Sequence, residues 1–183
     1  MSNAPVRFEP IEYRDVPGGA YLSFVLRRKE QIAASGFPTV GERNLLFGTM
    51  RAYLGNVIVT PRAEWISETS PLRFQVKSEF VLVTPHDDLT YFWLAYLRSN
   101  HFLSHLPLGH GGTRPRLQPK ALAETPVAVP EIHVRRQINN ELERLAKSEW
   151  LTYFKAALLD VSVADESHDT NANPSNRNYA ERT

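Results

Sequence analysis

A short glycine-rich loop in the second half of the chain carries the side chains best suited to binding an anion. Arg114 and Arg116 stand in the run Gly111-Gly-Thr-Arg-Pro-Arg116. A guanidinium group donates two parallel hydrogen bonds, which match a phosphate group or the O6 and N7 atoms of guanine. Glycines also let backbone amides approach a phosphate closely. The pattern predicts a loop that binds phosphates or bases, and the alternative is a loop of solvated arginines, which are common on protein surfaces.

Polar and cationic residues around this loop extend the candidate surface. Thr113 adds a hydroxyl group within the loop, and Gln118 and Lys120 follow it directly. A second loop on the same rim is expected in the turn after Phe47-Gly48, because Arg51 and Tyr53 stand there. The candidate DNA-binding residues are therefore Arg51, Tyr53, Thr113, Arg114, Arg116, Gln118 and Lys120.

Familiar catalytic motifs do not occur in the sequence. There is no Walker-type Gly-Lys-Ser/Thr and no Gly-x-Gly-x-x-Gly. The run Gly109–Gly112 is similar to an esterase oxyanion loop, but no Gly-x-Ser-x-Gly elbow supplies a nucleophile. Asn173-Pro174-Ser175 lacks the aromatic residue with which a base-methylating motif stacks a flipped base. We expect no catalytic residue, with a nuclease that uses Asp87 or Asp88 and a histidine as the enzymatic alternative.

Three histidines raise the question of a metal site. His101 and His105 are four residues apart and can share one face of a helix, and His110 follows. The sequence has no cysteine, which excludes disulfides and thiolate ligands. No third ligand follows at a clear spacing, and we predict neither a metal nor another cofactor.

The elements that must position these residues begin with β-rich runs separated by turn formers. There are four such runs, and several of them have too little polar alternation to be half-exposed: Leu45–Phe47, Asn56–Thr60, Leu72–Val76 and Glu79–Thr84. We predict that they form one buried sheet, antiparallel or mixed. Further strands are expected at Tyr21–Leu26 and Pro126–Pro130, and a short helix is expected to begin at Arg27.

A helix is predicted directly after these strands. Asp87 and Asp88 provide a candidate N-cap. Apolar residues then recur with helical spacing, at Leu89, Phe92, Trp93, Tyr96 and Leu97. We expect this face to pack on the sheet.

A much longer helix is predicted from Glu131 to about Asp160, where no glycine or proline occurs. Its apolar stripe consists of Val134, Ile138, Leu142, Leu145, Phe154 and Leu158. At 1.5 Å per residue, thirty residues of helix span about 45 Å, which exceeds what a small domain covers. We therefore expect a coiled-coil-like pairing with another helix, preferably in a homodimer, rather than packing on the chain's own sheet.

The 183 residues thus divide into an α/β (α+β) domain at 1–130, a long helix at 131–160 and a tail at 161–183. The tail is rich in Asn, Ser, Asp and Glu and is expected to be disordered. Net charge is +1, but residues 41–120 contain nine Lys and Arg against six Asp and Glu. That balance permits a polyanionic partner without requiring one. Because Met1–Pro10 has no signal-peptide core and no run approaches a membrane span, a cytoplasmic protein is expected.

Several stretches occur in a fixed order that points to one family. They are Leu45–Val57, Phe80–Pro85, Tyr91–Phe102, Gly111–Leu117, Pro126–Pro130 and the Gln137-Ile138 pair that opens the long helix. This succession resembles the target-recognition domain, with its following helix, of the specificity subunits of type I restriction-modification systems. The resemblance covers roughly residues 41–155.

The resemblance implies an α/β domain that reads DNA and a helix that docks onto methyltransferase subunits. In that family the specificity subunit is not catalytic, because its partner subunits methylate and cleave. A complete subunit has two recognition domains and two long helices, whereas this chain has room for one of each, so a half-size subunit is implied. Expected partners are double-stranded DNA, a DNA methyltransferase subunit, the restriction subunit and a second specificity half. The non-enzymatic alternative is an interaction scaffold that no longer binds DNA.

Overall fold

The computed structural model describes residues 8–16, 21–27, 36–66, 68 and 71–166, with side chains as far as Tyr153. Its regular elements are β1 (Thr39–Val40), β2 (Leu45–Gly48), β3 (Val57–Val59), β4 (Phe74–Gln75), β5 (Phe80–Val83), α1 (Thr90–Arg98), α2 (Asn100–Leu103), α3 (Pro119–Ala123) and α4 (Ile132–Glu166). Strands and helices are segregated along the chain and the strand pairs are antiparallel, so the fold is α+β.

The strands form two small antiparallel sheets. The larger sheet has the order β3-β2-β5, and the smaller one pairs β1 with β4. The prediction of a single sheet was therefore wrong. A tight turn closed by the Phe80 amide and the Lys77 carbonyl (3.1 Å) redirects the chain, so that β5 pairs with β2 while β4 stays with β1.

Burial in the larger sheet is uneven. All residues of β2 and β3 are buried. Strand β5 lies at the edge, where Leu82 is 53% exposed and Val81 and Val83 are half-buried. The prediction of a buried strand was correct for β2 and β3 and wrong for β5. Strand β3 is also an edge strand, but helix α1 packs against it, whereas Leu82 of β5 faces solvent.

Two predicted strands are absent from the part of the chain that the structure describes. In Tyr21–Leu26, alternate residues are buried, but the Leu22 and Ser23 amides donate to the Glu149 carboxylate at 2.7 and 2.9 Å instead of to a strand. In Pro126–Pro130 the flanking prolines lack amide donors, and the Ala128 amide binds the Tyr96 hydroxyl. The helix expected beyond Arg27 lies outside the described residues.

Helix α1 was predicted correctly, but its N-terminal contacts were not. Leu89, not Asp87 or Asp88, is the N-cap residue, and it makes no side-chain capping bond. The Tyr91 and Phe92 amides instead donate to the side-chain oxygen of Asn139 at 2.9 and 3.3 Å. A residue of α4 thus satisfies donors at the start of α1, which local sequence cannot reveal.

Helix α4 is attached to the core along its N-terminal half. Asn139, Ala146 and Trp150 are buried, and the Trp150 ring meets Phe24 edge-on at 5.1 Å. Glu143 binds Arg62 at 3.0 Å and Arg43 at 3.4 Å. The stripe was expected to leave its own domain uncovered, but its residue Leu142 also packs against the core. The fully buried residues of α4 lie beside the stripe, and the helix reaches six residues beyond the predicted end at 160. Residues 167–183 of the predicted tail lie outside the described residues. None of the helices in the described ranges has the length and apolar character to cross a membrane.

Candidate nucleic-acid interface

The arginine loop is closed on itself by backbone hydrogen bonds. The His110 amide donates to the Arg116 carbonyl at 3.0 Å, and the Arg116 amide donates back at 2.8 Å. A Cβ atom at Gly109 would lie 3.0 Å from the Arg116 backbone, so the two chains approach closely only with glycine there. Gly111 has a φ of +106°, a conformation that favours glycine. The glycines seen in the sequence therefore shape a tight loop.

This loop is joined directly to the turn after β2. The Arg51 amide donates to the Pro115 carbonyl at 2.7 Å, and the Arg51 guanidinium donates to the Thr113 carbonyl at 3.2 Å. The buried Leu117 anchors the far end, where its amide binds the Thr49 carbonyl at 2.9 Å. Two loops that lie sixty residues apart in sequence thus meet in one surface, which we call the arginine rim: Arg51, Tyr53, Thr113, Arg114 and Arg116.

All five side chains of the arginine rim are exposed. Gln118 and Lys120 are exposed as well, but they lie at the start of α3 rather than in the loop. Lys120 faces Glu124 at 3.7 Å in an exposed pair, so part of its charge is offset. Five of the seven predicted residues are therefore tied to one junction, and the other two continue from it along the chain.

Tyr13 holds the turn after β2 that carries part of the arginine rim, and the sequence did not predict this role. Its hydroxyl accepts a hydrogen bond from the Met50 amide at 2.7 Å and donates one to the Glu79 carbonyl at 3.2 Å. Burial raises the pKa of Tyr13 to about 12; the Met50 hydrogen bond and Arg116 oppose this rise, and Glu79 adds to it. The hydroxyl therefore stays neutral and ties the β2 turn to β5. No sequence signal marks Tyr13, because its partners lie 37 and 66 residues away.

The histidines do not assemble a metal site in the described part of the chain. The His101 and His105 rings are 5.0 Å apart, and His105 Nδ1 lies 2.6 Å from the His101 carbonyl oxygen. His110 instead closes the arginine loop through its backbone. Across the described residues, no three His, Asp or Glu side chains come together in a way that would hold a metal ion.

The Asp87 carboxylate accepts hydrogen bonds from groups within the domain. It accepts hydrogen bonds from the Leu89 amide at 3.2 Å and the Trp93 indole at 2.9 Å, and it forms an ion pair with Arg135. These contacts join α1 to α4 around a half-buried carboxylate. Asp87 therefore has a structural use, which sets it apart from the open carboxylate that a nuclease metal needs.

The predicted stripe of α4 lies beside its packed face. Ile138 and Leu145 are exposed, whereas Val134 and Leu142 are half-buried. An open groove of about 710 Å³ runs along this side of the helix and is lined by Tyr21, Phe24, Leu142, Leu145, Glu149 and Tyr153, among others. The side chains of Phe154 and Leu158 lie outside the described residues.

No family model matches the sequence, and no curated protein matches it. The arginine rim and the exposed helix face are therefore the observations on which a function must be based.

Proposed function

We propose that this chain recognises DNA sequence as a non-catalytic specificity subunit of a restriction-modification system. The observation that carries the proposal is the junction between the Arg51 turn and the Thr113–Arg116 loop, at 2.7 and 3.2 Å. Base recognition needs several donors held at defined separations, and loops tied to a rigid sheet provide this.

The charges of the rim favour DNA over a neutral partner. Arg51, Arg114 and Arg116 are all exposed, and they belong to two loops that hydrogen bonds join. Arginine pairs with guanine in the major groove and with phosphate along the backbone, so one surface can both position and read a duplex. The excess of three positive charges over residues 41–120 adds a weaker attraction of the same sign.

Helix α4 supplies the surface for a protein partner. Ile138 and Leu145 are exposed on a helix whose other face is committed to the core. The resemblance described above assigns this helix to a methyltransferase subunit, with the restriction subunit joining the same complex. A second copy of the chain would complete the two recognition halves of a full subunit and read a twofold symmetric site.

Methylation sequencing of a host genome tests this function. Cells express the native methyltransferase subunit with the wild-type chain, with an R114A/R116A variant, or with an R73A variant as the matched control. Arg73 is also exposed, but it precedes β4 in the other sheet. A methylated motif that requires the chain is expected. It should be lost or relaxed in R114A/R116A, because each lost base contact costs about 1–3 kcal/mol.

Two results would contradict the proposal. If no motif depends on the chain when both proteins are expressed, the chain is not a specificity subunit. The exposed face of α4 would then favour an interaction scaffold, which predicts no salt-dependent DNA binding. If a motif depends on the chain but R114A/R116A and R73A leave it equally intact, recognition occurs away from the arginine rim.

A further inference from the structure

The arginine rim is flanked by apolar side chains that solvent surrounds. Leu108, just before the loop, is 96% exposed, and Tyr53 and Leu54 in the β2 turn are 59% and 55% exposed. Single exposed apolar residues are ordinary on protein surfaces. Leu108 and Tyr53, however, are not isolated from each other, because both line one cavity next to the arginine loop.

The backbone on either side of Leu108 is constrained, although its side chain is exposed. A Cβ atom added at the next residue, Gly109, would lie 3.0 Å from the Arg116 backbone, and the preceding Pro107 has a restricted φ angle. Leu108, Tyr53 and Pro115 line the same cavity of about 310 Å³. The exposed leucine therefore lies next to the arginine loop and shares this cavity with Tyr53.

Charge decides which partner fits this arrangement. An apolar projection alone would suit a lipid or a protein surface. Arg51, Arg114 and Arg116 are exposed in the two joined loops next to it, and their positive charge favours an anionic partner. Duplex DNA has phosphates on the outside and stacked apolar bases within, so a leucine between arginines is complementary to it. Proteins that kink DNA use leucine side chains in this way.

We propose that Leu108 inserts between stacked base pairs of the bound duplex, with Tyr53 packed beside the opened step. This inference rests on the proposed function, and it adds that recognition includes a local distortion of the DNA. The arginines bind phosphates and base edges on either side, which compensates for the lost stacking. Specificity then depends partly on how easily the opened step deforms.

The probe is a DNA duplex selected for binding. A pool of duplexes with a randomised centre is mixed with the full chain, and the bound duplexes are recovered and sequenced. Adenines in the recovered sequence are replaced one at a time by 2-aminopurine, whose fluorescence rises when it unstacks. Wild type is expected to raise the signal at one step. It should also bind a duplex with a mismatch at that step about tenfold more tightly, because that stacking is already weakened. L108A should lose both effects, and L82A, at an exposed leucine of β5, should keep them.

The outcomes separate the two proposals. If wild type recovers no duplex, both the proposed function and this inference are contradicted. Salt-sensitive binding that falls in R114A/R116A, with no 2-aminopurine response or with the same response in L108A, would overturn the insertion and leave DNA recognition standing. Since Leu108 is almost fully exposed, L108A is expected to unfold at the wild-type temperature.

Discussion

At the scale of single residues, the junction under the arginine rim depends on Tyr13 as much as on the arginines. Its hydroxyl connects the Met50 amide to the Glu79 carbonyl, and an added Cβ at Gly48 would lie 2.7 Å from the Tyr13 oxygen. The ring also meets Phe80 edge-on at 5.0 Å. Through Tyr13, the N-terminal segment therefore holds the turn after β2 in place. Because Arg51 lies in that turn, Tyr13 also helps to fix the position of Arg51.

The neutral hydroxyl of Tyr13 predicts a pH dependence of stability. Unfolded tyrosine loses its proton near pH 10, whereas burial holds the pKa of folded Tyr13 at about 12. The folded state therefore binds the proton more tightly. Its contribution is complete below about pH 10 and declines as the pH rises towards about 12.

Denaturant titrations of wild type and Y13F at several pH values measure this effect. At about pH 9, below the usual tyrosine pKa, Y13F is expected to be less stable by about 1 kcal/mol, because the Met50 amide loses its acceptor. This difference should shrink between about pH 10 and 12. Tyr91, whose pKa burial also raises, is present in both proteins and cancels. Parallel stability curves over that range would contradict the assignment.

At the scale of elements, α1 and α4 depend on each other through buried polar contacts. Asn139 is buried and supplies the acceptor for two amides at the start of α1. The ion pair of Asp87 with Arg135 and the Glu143 contacts with Arg43 and Arg62 join α4 to the same region. Helix α4 is consequently part of the domain core over this stretch, and its docking orders the helix that packs on the larger sheet.

The sequence offers a matched pair for testing this dependence. N139A is expected to lower the free energy of unfolding by about 1–3 kcal/mol, because it leaves buried amide donors without a partner. N140A changes the same residue type at the next position, which is exposed, and should have little effect. Urea unfolding followed by far-UV circular dichroism measures both. Equal effects of the two variants would show that the Asn139 contact does not stabilise the helix pair.

At the scale of the whole molecule, the described surfaces separate by chemistry. The arginine rim is cationic and lies at the ends of strands and loops. The exposed side of α4 is mainly polar but includes Ile138 and Leu145, and Leu145 borders the 710 Å³ groove. One surface therefore suits a polyanion and the other a protein helix, as an adaptor between DNA and a partner subunit would require.

Self-association through α4 is the expectation at this scale. Sedimentation velocity of wild type should show a concentration-dependent dimer. I138D/L145D should be monomeric, because charges at these exposed positions oppose helix pairing, while its unfolding temperature stays within a few degrees of wild type. L82D places the same charge on an exposed β5 position as a control. If wild type is monomeric, or if I138D/L145D still forms the dimer, then two copies of the chain do not pair through this face of α4.

Much of the fold and of the candidate site could be predicted from short stretches of sequence. Runs of β-forming residues between turn formers located β2, β3 and β5, and apolar residues at helical spacing located α1 and the start of α4. Glycines and arginines marked the loop at 111–116, and Arg51 with Tyr53 marked the turn that meets it. These features depend on neighbouring residues, so a single sequence contains them.

Only the tertiary structure showed which groups far apart in sequence are hydrogen-bonded and which strands pair with each other. The sequence could not show that Asn139 caps α1, that Glu149 takes the amides that would have made Leu22 and Ser23 a strand, or that β4 and β5 belong to different sheets. Nor could it show Leu108 projecting beside the arginines. Each of these facts depends on the folded path between residues far apart in sequence, and a short motif carries no information about that path.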